Sequence, residues 1–149
     1  MTEAVIVSTA RTPIGKAYRG ALNNTEGPTM AGHVIGEAVR RAKVEPGEVE
    51  DVVMGCAMQQ GTTAMNVARK GAIRAGLPVT LAGTTIDRQC ASGLQAIAVA
   101  ARSVILDGVE LSMWLVSAKN HGRMLVEMRW KQLLAHFVIC EWLRSPKWT

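Results

Sequence analysis

Residues 84–108 read TTIDRQCASGLQAIAVAARSVILDG, and this stretch decides the fold. Its start, GTTID over residues 83–87, is a short β-branched run that predicts a strand. Residues 91–106 then carry no charge until Arg102 and are apolar on nearly every side. That pattern predicts a helix buried in the middle of something larger, closed by Asp107 and Gly108. Cys90 stands where the strand gives way to the helix. A thiol at such a junction meets unpaired backbone N–H groups and the positive end of the helix dipole, which together favour a thiolate. Ser92 and Gly93 are small enough to let a substrate or a neighbouring backbone come close. A lone cysteine is more often an inert core residue, and the placement at the junction sets Cys90 beside that reading as a candidate nucleophile.

Upstream, the same alternation appears twice more. Residues 4–9, AVIVST, predict a buried strand, broken by Pro13 and Gly15. A helix is expected over 29–43, with Met30, Val34, Ile35, Ala38 and Ala42 at helical spacing and Arg40, Arg41 and Lys43 at its negative end. VEDVVMGCA, residues 49–57, is the second strand, and NVARKGAIRA, residues 66–75, the second helix, closed by Gly76 and Pro78. The order βαβαβα predicts an α/β fold: three parallel strands covered by helices. Cys56 and His33 are expected to be packed in the core, since no neighbouring ligands accompany either.

Composition narrows the class further. With 149 residues, 48% hydrophobic and 19% charged, the chain is no disordered polymer. Three cysteines exclude a disulfide scaffold and suit a reducing, cytoplasmic setting. No apolar run reaches the ~20 residues of a membrane span, and MTEAVIVSTARTP lacks the basic start of a signal peptide. Neither GxGxxG nor GxxxxGK[ST] occurs, and no basic surface strong enough for nucleic acid is evident.

Three segments carry a family resemblance. VIVSTARTPIGKAYRGAL, MGCAMQQGTTAMNVARKGAIRAGLP and TTIDRQCASGLQAIAVAARSVILDG resemble, in order, the opening strand and turn, the second strand and helix, and the nucleophile segment of the thiolases (acetyl-CoA acetyltransferases and 3-ketoacyl-CoA thiolases). Condensing ketoacyl synthases share the strand–Cys–helix device, but Asp87-Arg88-Gln89 before Cys90 looks like thiolase. The resemblance implies Claisen chemistry on acyl-CoA and acetyl-CoA, with no permanently bound cofactor and no metal. In it Cys90 carries the acyl group as a thioester, and the Cys90 backbone N–H helps bind an oxyanion. It also implies a homo-oligomer for intact members.

The resemblance runs over residues 4–110 and then stops. Residues 1–110 carry eleven Lys or Arg against ten Asp or Glu, whereas 111–149 carry six against two. Tyr18 is the only aromatic residue of the first part, while Trp114, Trp130, Phe137, Trp142 and Trp148 all lie in the second. The coincidence of both breaks favours a change of reading frame, which makes 111–149 a non-family tail. The family's GHP-type histidine and CxG-type cysteine do not occur, since Glu141 and Trp142 follow Cys140. The chain alone is therefore expected to be an incomplete, inactive acyltransferase. The alternative is a non-catalytic fragment or interaction protein that associates with a thiolase subunit. Residues 123–144 pattern loosely as an apolar-faced helix.

Overall fold

A computed structural model describes residues 3–13, 15–16, 19–117 and 138–144, the backbone alone at 116–117 and 138–144. The strands are β1 (Val5–Arg11), β2 (Asp51–Cys56), β3 (Ala82–Ile86), β4 (Leu111–Ser117) and β5 (Val138–Arg144). The helices are α1 (Gly27–Ala42), α2 (Val67–Arg74) and α3 (Ser92–Arg102), the last running on through a π turn, Ser103–Asp107. One sheet holds all five strands in the order β1-β5-β4-β2-β3. β2 pairs in parallel with β3 on one side and β4 on the other, and β5 runs antiparallel between β4 and β1. β1 thus points the same way as β2, β3 and β4. The expected α/β architecture of parallel strands and covering helices stands.

Strand periodicity divides the core. Val52, Met54 and Cys56 of β2, with Leu111, Met113 and Leu115 of β4, face α1 and α2. Val53 and Trp114 face the other way, onto Ala96, Ala100 and Val104 of α3 and its π turn. Both faces of the central strands are covered, which is why β2 and β4 read as continuous apolar runs.

Four expectations need correction. β1 is not buried: Val5, Ile6 and Val7 are 40–55% exposed, because β1 is an edge strand and, among the described residues, it is α1 that covers it, at Ser8 and Ala10. α3 is not enclosed either. Only Ser92, Gly93, Ala96, Ala100 and Val104 are buried, and Leu94 is 71% and Leu106 74% exposed. The helix covers the sheet with one stripe, and none of the described residues covers its other side. His33 is exposed, since it lies on the side of α1 away from the sheet. Leu111–Ser117 pairs with β2 along its whole length and so belongs to the same sheet. The proposed helix over 123–144 lies partly outside the described residues, but its last seven, Val138–Arg144, form β5.

Candidate active site

The strand–Cys–helix junction is built by backbone geometry and one serine. β3 ends at Ile86, and the chain makes a single 3₁₀ turn, Gln89–Ala91, before α3 begins at Ser92. Gln89 has φ +49°, in the left-handed region that non-glycine residues rarely occupy. Such strain persists only where the surroundings impose it, and it clusters at functional sites. Here the Ser92 hydroxyl imposes it. It accepts from the Arg88 N–H at 2.8 Å and donates to the Gln89 carbonyl at 2.7 Å. The Gln89 N–H donates to Asp87 Oδ1 at 2.8 Å, and the Arg88 guanidinium bonds the Gln95 side chain.

Cys90 sits on the crest of this turn, exposed and in no disulfide. The amides of Arg88, Gln89, Ala91 and Ser92 are all engaged, by Ser92 Oγ, Asp87 Oδ1, the Arg88 carbonyl and the Gln89 carbonyl. Among the described residues nothing engages the Cys90 N–H. The turn therefore presents one thiol and one free amide together, the pair that acyl transfer at a thioester carbonyl requires.

Ser92 and Gly93, expected to let a substrate or a neighbouring backbone come close, do admit the backbone of β2. Both are buried, and α3 meets β2 so closely that a Cβ on Gly55 would lie 2.4 Å from the Ser92 carbonyl. Gly55 is what lets the nucleophile helix seat on the central strand. Nothing local in MGCA signals that contact.

A second fixing point also escaped sequence reading. Asn66, at φ +59°, caps α2 through Oδ1, which accepts from the Arg69 N–H at 3.2 Å. Its amide donates to the Gly83 carbonyl at 2.7 Å, and Thr85 Oγ1 donates to Oδ1 at 3.0 Å. The Arg69 guanidinium reaches the Val79 and Leu81 carbonyls. These bonds fasten β3, and so the entry to the Cys90 turn, onto α2. An Asn just before an apolar helix is the one signal that was legible.

The other candidates separate clearly. Cys56 closes β2 at 1% exposure, its thiol 3.5 Å from the Met58 carbonyl, as expected of a core thiol. Two open clefts between α1 and α2, of about 490 and 350 Å³, do not include Cys90. His33 lines the smaller one. No group of three or more His, Cys, Asp or Glu able to hold a metal occurs among the described residues. Side-chain positions of His121, His136 and Cys140 lie outside the described structure.

Fold and junction together define an α/β protein with a cysteine presented between strand and helix. The thiolase N-terminal domain model matches residues 4–115. A 3-ketoacyl-CoA thiolase of Bacillus subtilis (strain 168) is 39% identical over 113 residues, covering 76% of this chain and 29% of that protein. An acetyl-CoA acetyltransferase of Cupriavidus necator is 40% identical over 111 residues, covering 74% and 28%. The crystal structure of the Bacillus anthracis acetyl-CoA acetyltransferase superposes with a TM-score of 0.72 at 39% identity, over 89% of this chain and 34% of that one. The chain belongs to the thiolase family. It spans under a third of the length of these curated relatives.

Proposed function

We propose that Cys90 is the acyl-accepting nucleophile of a thiolase-type acyltransferase acting on coenzyme A thioesters. The single observation that carries this reading is the strained, serine-pinned turn that exposes Cys90 beside its own unused N–H. The sulfur attacks the carbonyl carbon of an acyl-CoA. A new C–S bond forms to Cys90, the C–S bond to coenzyme A breaks, and the thiol proton ends on the departing coenzyme A sulfur. The Cys90 N–H donates to the carbonyl oxygen as negative charge develops there. The acylated cysteine then gives its acyl group to an acetyl-CoA carbanion, or, in reverse, receives it from a 3-ketoacyl-CoA.

The second half of that chemistry needs a base for the carbanion. No GHP-type histidine or CxG-type cysteine occurs in the 149 residues. By itself, then, the chain accepts an acyl group but does not turn over. A cytoplasmic, reducing setting and acyl-CoA substrates of fatty-acid metabolism suit an exposed free thiol of this kind.

The test is acetyl transfer from acetyl-CoA, followed by mass analysis of the thiol-bearing peptides. Acetylation of Cys90 well ahead of Cys56, and its loss in Cys90→Ala, is the expected result. Equal labelling of Cys90 and Cys56 in folded protein would remove Cys90 from this role.

A further inference from the structure

We infer that the seam between α1 and α2 binds a phosphate monoester with an apolar body, at a site separate from the Cys90 turn. Two clefts of about 490 and 350 Å³ run along this seam and share Thr29 and Arg74. Both volumes lie within the range of small-molecule sites, ~300–1,000 Å³. The seam lies on the face of the sheet opposite α3. Arg74 stands where the two clefts meet. A Cβ on Gly32 would lie 2.8 Å from Arg74 Cγ, so the arginine stem crosses α1 at a residue with no side chain. Packing thus sets the guanidinium in place, yet among the described residues it makes no hydrogen bond or ion pair. A guanidinium so placed presents a planar fork of donors that matches a phosphate.

The rest of the larger cleft suits the same ligand. Lys70, four residues before Arg74, shares its side of α2. Its ammonium gives one donor to the Thr62 carbonyl at 3.0 Å, which holds it in the cleft with donors to spare. Thr29 lies in the first turn of α1, where the N-cap residue Glu26 supplies no side-chain bond. The carboxylates leave this positive charge standing. Glu37, in the smaller cleft, is taken up by Arg40 and Arg41, and Glu26 forms an ion pair with neither Lys70 nor Arg74. Beside the cations, Pro28 and the 49% exposed Ile73 form an apolar wall. A bare anion would leave that wall and most of the volume unused, which is why the ligand carries an organic body.

The test is calorimetric titration of the full 149-residue chain with adenosine 5′-monophosphate, inorganic phosphate and adenosine. Saturable binding of the nucleotide is expected, about tenfold or more tighter than either fragment. Arg74→Met keeps the stem over Gly32 and removes the charge, so it should weaken nucleotide binding about tenfold or more. Arg74→Lys should recover part of the loss. Glu26→Gln should tighten binding, a gain that a misfolded chain cannot mimic. Arg102→Met, at an exposed cation on α3, should bind as wild type does. Acetyl transfer to Cys90 should be equal in Arg74→Met and wild type, so the two sites are judged separately. Absence of saturable binding, equal binding by wild type and folded Arg74→Met, or a fragment bound as tightly as the nucleotide would each overturn the inference.

Discussion

Two small residues hold the nucleophile turn in place, and each makes a distinct claim. The Ser92 hydroxyl satisfies both the Arg88 N–H and the Gln89 carbonyl around the strained Gln89. Replacing it with alanine removes two hydrogen bonds and leaves both backbone groups beside a methyl. Ser92→Ala is expected to cost about 1–3 kcal/mol in urea unfolding and to lower the selectivity of alkylation at Cys90 over Cys56. An unchanged midpoint and unchanged selectivity would show that the turn holds itself. Gly55 acts through space alone. An alanine Cβ there would fall 2.4 Å from the Ser92 carbonyl and 2.6 Å from the Gly93 nitrogen, both backbone atoms. Gly55→Ala should therefore destabilise by about 1–3 kcal/mol, because the whole of α3 must shift. Asp51 stands at the start of β2 with burial pushing its carboxyl above the ordinary range, against a hydrogen bond from the Val52 N–H. Its neutral form therefore favours the fold at low pH, and that contribution is lost as pH rises through the raised pKa.

The last turn of α1 carries the opposite pH dependence. Arg40 bonds Glu37 at 2.7 and 2.9 Å, and Arg41 at 2.6 Å. Those bonds, Arg40 first, hold the Glu37 carboxyl at about 2, down from 4.5. Arg41 also donates to the Thr9 carbonyl at 2.8 Å, which ties the helix end to β1. A lowered carboxylate pKa stabilises above its unfolded value, and the effect fades as pH falls from about 4.5 to about 2. The melting temperatures of wild type and Glu37→Gln should differ at pH 6 and converge towards pH 2. A gap independent of pH would assign the effect to helix propensity instead. Helices were the legible elements: apolar spacing from Met30 and Ile35 placed α1 within two residues of Gly27–Ala42. β4 was hidden for a physical reason. Its residues 111–115 are buried between two helical layers, so the strand shows no alternation, and Trp114 looked like part of a compositional break. The order β1-β5-β4-β2-β3 depends on long-range pairing that no local pattern encodes.

At the scale of the molecule, the junction at Cys90 could be read because its two flanking elements are strong in the sequence. The seat that Gly55 provides and the reach of Asn66 to Gly83 could not, since each is a contact with a distant element, and nothing in the residue type of Gln89 signals its φ. No GHP-type histidine or CxG-type cysteine accompanies the presented thiol in the sequence, and on the proposed reading the chain accepts an acyl group without turning over. General acid–base groups contribute roughly 10²–10⁴-fold each, so their absence separates acyl acceptance from turnover. The most direct measurement is coenzyme A-dependent cleavage of acetoacetyl-CoA by the purified 149-residue chain, run beside Cys90→Ala. Steady-state rates indistinguishable from that variant are expected, with at most one acetyl group left on Cys90. Sustained turnover clearly above the Cys90→Ala rate would contradict this reading and place catalytic groups within the residues that follow β4.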